Sequence, residues 1–298
     1  MTISFVSVVL PVYNDSSRLR ECLDALDNQT YRKEKYEVIV VDNNSTEDLK
    51  TIVNRFQQAH YVFEAKPGSY AARNKGILKA KGEVFAFIDS DCLPQPHWLQ
   101  EGVRALEENA ADLAGGKVTF TFSSEKSPAE LYDSITNMQI KENIETRKVS
   151  KTANLFSYRH VFDEIGLFPA HLKSGGDVMW TKKATDAGFK MVYAPAAEVF
   201  HPARTFWPLV QKQYRVGGGQ VEVLQTQGHA LSSVAKGALK SVLKPPSIKG
   251  IQGLVERKGL STEDASLVSI WLMSWMCKAS TGLGRLNTLA TNRSVLKR

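Results

Sequence analysis

Near-continuous apolar runs recur along the first third of this chain, and they constrain its fold more than any other feature. They are Phe5-Val6-Ser7-Val8-Val9-Leu10, Tyr36-Glu37-Val38-Ile39-Val40-Val41, the short Tyr61-Val62-Phe63, and Val84-Phe85-Ala86-Phe87-Ile88. Between them the spacing turns helical. Leu19, Cys22, Leu23 and Leu26 follow Asp15-Ser16-Ser17; Leu49, Ile52, Val53 and Phe56 follow Thr46; a helix is expected through Ala71–Lys79. Strands without polar alternation are buried on both faces, and helices between them supply the cover. The expectation is an α/β fold: a Rossmann-like, mainly parallel sheet flanked by helices.

Such a sheet binds ligands beyond the carboxyl ends of its strands. Asp42 closes the second run and Asp89-Ser90-Asp91 the fourth. Paired carboxylates at a strand end are hard oxygen ligands suited to Mg²⁺ or Mn²⁺. A short acidic pair is equally an ordinary solvated turn, and the pair alone leaves both readings open.

Around Ser123–Ser127 the pattern loosens, and Pro128–Lys148 reads as a polar amphipathic helix or a partly mobile loop. Strand signals resume at Ala153–Phe156 and Lys190–Tyr193, with a helix at Val178–Ala187 between them. Gly217-Gly218-Gly219 reads as a flexible hinge. Beyond Gly228, helical segments at Leu231–Leu243 and Ala265–Lys278 flank the breaker Lys244-Pro245-Pro246-Ser247. The expected domains are 1–227, with halves at about 1–122 and 123–227, and a basic helical extension at 228–298.

Residues 1–229 carry 27 Lys/Arg and 28 Asp/Glu, a net of −1, whereas residues 230–298 carry 11 and 3, a net of +8. The basic excess therefore belongs to the carboxyl-terminal quarter, which points to an anionic surface there and not to nucleic acid on the main domain. The apolar run Leu267–Cys277 within that quarter is too short to span a bilayer, which takes about 20 residues. With Trp271, Trp275 and basic neighbours it suits either an interfacial helix or a helix packed on protein. Three separated cysteines, Cys22, Cys92 and Cys277, form no Cys-x-x-Cys pair and fit a reducing compartment. With no basic leader at Met1–Phe5, the expected location is cytoplasmic, peripheral to the membrane at most.

Several segments, in this order, resemble family 2 glycosyltransferases of the GT-A fold: Val8–Asn14, Val40–Asp48, Ala71–Ile77, Phe87–Asp91, Thr152–Leu155, Glu164–Phe168 and Ser174–Asp177. The resemblance covers roughly residues 4–220. It implies an inverting enzyme that moves one sugar from a nucleoside-diphosphate sugar, UDP-linked by preference, to a hydroxyl of a glycan or lipid-linked acceptor. By the same resemblance Asp91 and Asp89 hold Mg²⁺ or Mn²⁺, with Ser90 between them, and His201 sits near the metal or diphosphate. Pro11, Tyr13 and Asn14 match the nucleoside wall, Asp42 matches the acidic residue that hydrogen-bonds the base or ribose, with Asn44 of the same loop also on the donor side, and Arg73 and Asn74 lie near the donor. Arg73 either pairs with diphosphate or braces Asp89.

Asp177 matches the catalytic base, with helix capping as its alternative role. Gly176 stands where many relatives have Glu, which removes a second carboxylate. Asn154, Gly176, Arg204 and Arg215 are candidates for the acceptor or diphosphate side. Gln211-Lys212-Gln213-Tyr214 departs from the Gln-x-x-Arg-Trp of processive synthases, which favours transfer of a single sugar. A nucleotidyltransferase would carry a Gly-rich, Arg-containing loop where this chain has Pro11-Val12-Tyr13-Asn14-Asp15. A non-catalytic nucleotide-sugar binder or partner subunit is opposed by the intact Asp89, Asp91 and Asp177.

Overall fold

The computed structural model describes residues 4–260 and 266–291. Contacts divide the chain into two units, one of residues 1–120, 138–171 and 176–202, the other of 121–137, 172–175 and 203–298. The elements of the first half are β1 (Val6–Val12), α1 (Ser16–Asp27), β2 (Tyr36–Asp42), α2 (Leu49–Val53), β3 (Ala59–Phe63), α3 (Ser69–Lys79), β4 (Val84–Ile88), β5 (Leu93–Pro94), α4 (Trp98–Glu108) and β6 (Leu113–Thr121). Next come α5 (Pro128–Thr136), α6 (Ile140–Arg147), β7 (Asn154–Tyr158), α7 (Arg159–Ile165), α8 (Gly176–Asp186) and β8 (Met191–Pro202). The chain continues through α9 (Phe206–Thr226), α10 (Leu231–Leu243), α11 (Ile248–Arg257) and α12 (Leu267–Thr291).

The first unit is built on an eight-stranded sheet of order β3-β2-β1-β4-β7-β6-β8-β5. The first four strands are parallel, with Val6 opposite Tyr36 and Val12 opposite Asp42, so β1 and β2 end level. From β4 onward, β7 pairs antiparallel with β4 and with β6, and β5 with β8. The mainly parallel expectation thus holds for the half that the apolar runs marked.

Every residue of β1, β2 and β4 is buried. On one face Val6, Val8 and Leu10 pack with Leu19, Cys22, Leu23 and Leu26 of α1 and with Trp98 and Leu99 of α4. On the other, Phe85 and Phe87 meet Phe162, Phe168 and Trp180 in an aromatic cluster with ring centroids between 4.1 and 6.3 Å apart. Gly76 lets α3 lie tightly on this face, since a Cβ there would sit 2.6 Å from Val9 Cγ1. That close approach brings the amino-terminal turns of α3 to the strand ends.

Three local expectations need correcting. The helix expected from Thr46 starts at Leu49, because Asp48 is the cap and accepts from the Thr51 amide at 3.1 Å. The segment Pro128–Lys148 is two helices, the first fixed by a capping box in which Ser127 and Glu130 serve one another. The glycine run 217–219 is no hinge: α9 passes through it unbroken.

In the second unit α9 packs along α12, and glycines make the approach possible. A side chain at Gly217 would run into the Thr281 carbonyl, and one at Gly284 into the Tyr214 carbonyl. Gly282 plays the same part toward α10, where a Cβ would lie 2.6 Å from Ala238 O. Residue 265, the expected start of the last helix, lies outside the described residues, and α12 extends to Thr291, well past Lys278. Its tryptophans are partly spent on packing: Trp271 Nε1 donates to Pro246 O and Trp275 Nε1 to Val242 O. Among the described residues no helix is long and apolar enough to cross a membrane.

Candidate active site

The carboxyl end of β4 delivers Asp89, Ser90 and Asp91, all half-buried, into a tight turn closed by the Cys92 amide donating to Asp89 O at 3.1 Å. The turn is held from behind by two buried thiols, Cys22 and Cys92. Burial pushes the Cys92 thiol well above its ordinary range, with Asp91 and Asp89 adding to it.

Arg73 forms an ion pair with Asp89 Oδ1. Its guanidinium is buried (4% exposed), and its Nε has no hydrogen-bond partner in the described structure. Of the two roles left open for Arg73, bracing Asp89 is the one its geometry displays. The charge-assisted pair fixes the orientation of that carboxylate.

Asp91 faces His201, whose Nε2 lies 3.7 Å from Asp91 Oδ2. The imidazole comes from β8, is fully buried, and has Nδ1 2.7 Å from Pro202 O. A carbonyl accepts only, so Nδ1 carries a proton and donates to it, and Nε2 is the ring atom that faces Asp91. Asp91, Cys92 and His201 present ligand atoms within 4.8 Å of one another. The carboxylate oxygen and imidazole nitrogen of this group fit Mn²⁺ and accommodate Mg²⁺. The Asp15 carboxyl is raised by burial, which outweighs Arg18, and Asp91 and Glu47 push it the same way.

The level ends of β1 and β2 form the neighbouring wall. Pro11 is buried in β1, while Tyr13 is 63% exposed and offers an open ring face. Asn14, at φ 48°, is locked to the β2 loop: its amide donates to Ser45 Oγ, and its Oδ1 accepts from the Thr46 amide at 2.8 Å. Asp42 is buried, accepting from Ser45 N at 2.9 Å and Tyr61 Oη at 2.7 Å. Asn44 is exposed at φ 66°, in the left-handed region that asparagine tolerates.

The other candidates divide between exposure and scaffolding. Asp177, in the first turn of α8, accepts at Oδ1 from Tyr70 Oη and from the Val178 amide, both at 2.9 Å. Among the described residues its Oδ2 receives a single long contact, 3.3 Å from Thr152 N. Asn74 clasps the backbone of Phe168, donating to its oxygen and accepting from its nitrogen. Asn154 is wholly buried, accepting from Trp98 Nε1 and donating to the carbonyls of Lys117 and Ala197, each at 2.9 Å. Gly176 is buried against Tyr70, whose ring a Cβ would meet at 2.8 Å.

Arg204 and Arg215 belong to the second unit. There the Arg204 amide donates to buried Asp133 at 3.0 Å, and Arg215 is exposed on α9. Two residues escaped the sequence reading. Tyr70 is signalled only by standing one helical turn before Arg73. Asn43 pins the β2 loop to the chain entering α3, donating to Lys66 O and accepting from Gly68 N at 2.7 Å.

The profile of Glycosyl transferase family 2 matches residues 7–166. Glycosyltransferase AglE of Haloferax volcanii is 43% identical over 295 residues, covering 96% of each chain. The poly(ribitol-phosphate) beta-glucosyltransferase of Bacillus spizizenii is 33% identical over 194 residues, 60% of this chain and 29% of that one. In fold, the chain resembles a mannosyltransferase of Pyrobaculum calidifontis solved with GDP-Man and Mn²⁺, with a TM-score of 0.65 at 17% identity over 95% of this chain and 87% of the other. Profile, near full-length relative and GT-A architecture agree, and the chain is a glycosyltransferase belonging to glycosyl transferase family 2.

Proposed function

We propose that this enzyme transfers one sugar, with inversion, from a nucleoside-diphosphate sugar, UDP-linked by preference, to a hydroxyl of a lipid-linked or cell-surface glycan. The observation that carries the donor half is the Asp91–His201 pair beside an Arg73-braced Asp89. Asp91 and His201, with Asp89 adjoining, would hold a Mg²⁺ or Mn²⁺ ion, whose charge stabilises the departing nucleoside diphosphate. Tyr13 stacks on the base with its open ring. Asp42 contacts the nucleoside with the lone pairs that Ser45 and Tyr61 leave unused.

Asp177 is the general base. Its Oδ2, the less occupied oxygen, takes the proton of the acceptor hydroxyl. The freed oxygen attacks the anomeric carbon as the bond to the diphosphate oxygen breaks, and the bonding pair leaves with the diphosphate. One displacement inverts the centre. No second nucleophile is called for, and the retained Asp177 is the only carboxylate this scheme needs on the acceptor side.

The second unit supports contact with an anionic membrane surface. Val268, Leu272, Met276 and Leu283 are exposed along α12, and Leu239, Leu243 and Ile248 on α10 and α11. Lys236, Lys240, Lys244 and Lys249 are exposed among the latter. Apolar side chains interspersed with lysines match the headgroup region, where each basic residue adds about 1 kcal/mol.

The enzymatic reading is tested by separating binding from chemistry. Asp91→Ala should lose metal-dependent nucleotide binding, whereas Asp177→Asn should bind nucleotide with wild-type affinity and fail to turn over. A fully active Asp177→Asn enzyme removes the base assignment.

A further inference from the structure

Tyr70 and Gly176 have no part in the scheme above, yet they meet at its base. The Tyr70 hydroxyl donates to Asp177 Oδ1 at 2.9 Å, across 107 residues of sequence. Its ring is buried and occupies the space beside Gly176, where a Cβ would approach Cε2 at 2.8 Å and Cδ2 and Cζ at 3.0 Å. One turn further along α3, the Arg73 guanidinium lies 5.9 Å from the Tyr70 ring centroid and grips Asp89. A single helix thus holds a carboxylate of the donor site with one side chain and the base with another.

We infer that Tyr70 is a positioning residue for Asp177, and that Gly176 is glycine so that the Tyr70 ring can reach it. The inference rests on the base assignment made above. Two donors, the tyrosine hydroxyl and the Val178 amide, converge on Oδ1. They tie down that oxygen and leave Oδ2, with its longer Thr152 contact, as the proton acceptor. The carboxylate torsion is broad by nature, so an Asp177 held by the Val178 amide and the long Thr152 contact alone would sample orientations in which neither oxygen faces the acceptor. Proximity effects are steep in such displacements, and small misplacement of a base is costly. The ring also takes the volume that a side chain at 176 would use, so this site carries a hydroxyl donor in place of a second carboxylate.

The test uses the full-length enzyme and release of nucleoside diphosphate from UDP-glucose and GDP-mannose, with water as acceptor, so that no glycan need be identified. Tyr70→Phe keeps the ring and deletes the donor. It should lower kcat about 10-fold, the scale of losing a hydrogen bond to a charged partner, with donor KM and thermal midpoint unchanged. Gly176→Ala should lower kcat similarly by dislodging the ring. In the double variant the loss should not compound, because no hydroxyl remains to be dislodged. Wild-type kcat in Tyr70→Phe overturns the inference, as does multiplicative loss in the double variant. Asp177→Asn is run alongside: an inactive Asp177→Asn with an unaffected Tyr70→Phe sinks only the tyrosine's role, whereas an active Asp177→Asn sinks the base itself.

Discussion

Replacing Gly282 with alanine should destabilise the protein, whereas the same change at Gly237, on the neighbouring helix, should stabilise it. At 282 an added Cβ would stand 2.6 Å from Ala238 O, against the 3.4 Å where ordinary contact begins, so α10 and α12 must part by about 0.8 Å. The obstacle is a backbone carbonyl within a helix and cannot rotate aside. Overpacking of this kind costs roughly 1–3 kcal/mol, and a rigid obstacle places it near the upper end. Alanine's helix propensity returns about 1 kcal/mol, leaving a net loss of about 2 kcal/mol. At position 237 nothing lies within 4 Å, and the propensity gain stands alone.

For a chain of this size about 1 kcal/mol shifts the midpoint by roughly 2–4 °C. Differential scanning calorimetry should therefore show Gly282→Ala about 4–8 °C below wild type and Gly237→Ala about 2–4 °C above it. Gly217→Ala, directed at the Thr281 carbonyl, should fall with Gly282→Ala. Equal midpoints for the 217 and 237 variants would refute the packed α9–α12 pair and restore the glycine run as a hinge.

Asn154→Leu keeps the forked shape of the side chain but strips Trp98 Nε1 and the carbonyls of Lys117 and Ala197 of their partner. At roughly 1–3 kcal/mol per stranded group, urea unfolding should register a loss of about 3 kcal/mol or more; reduced turnover at undiminished stability would return Asn154 to the acceptor site. Burial pushes the Glu130 carboxyl upward, but donation from Ser123 and Ser127 overrides it and brings it to about 2. Because this folded value lies below the unfolded one, the stabilisation is complete above the unfolded carboxyl range and is lost as pH falls toward 2. The midpoint gap between wild type and Glu130→Gln should accordingly narrow from pH 6 to pH 2, and a constant gap would contradict it. Leu243→Gln/Leu272→Gln/Met276→Gln should pellet less than wild type with liposomes containing phosphatidylserine, and salt should weaken wild-type binding; equal pelleting rejects the membrane face.

The parts of the fold that sequence made legible are those where local pattern and burial coincide. β1, β2 and β4 are apolar throughout because both faces are covered, and their runs mark them to within a residue or two. β6 escaped because Gly115 and Gly116 interrupt its apolar run. Both glycines are dictated from outside the strand, since a Cβ at Gly115 would strike Ile144 and one at Gly116 would strike Asn154 and Ala197 O. The glycines of α9 misled for the same reason: small residues at a close helix crossing look like flexibility when the partner helix is unseen.

At the candidate site, the placement of residues at strand ends was legible from topology, as with Asp89, Asp91 and Asp42. Those whose role depends on a distant partner were not. Asn74 and Asn154 stand at family-like positions, yet their amides are committed to Phe168 and to the Trp98 region. The Tyr70–Asp177 bond leaves no trace in either local sequence.

The most direct test of the account is isothermal titration of UDP and GDP into the full chain, with and without Mn²⁺, repeated on Asp91→Ala, His201→Gln and Asp177→Asn. Metal-dependent binding of one nucleotide is expected, lost in Asp91→Ala, weakened in His201→Gln and intact in Asp177→Asn. Nucleotide binding of equal strength with and without Mn²⁺, unaltered in Asp91→Ala, would contradict it.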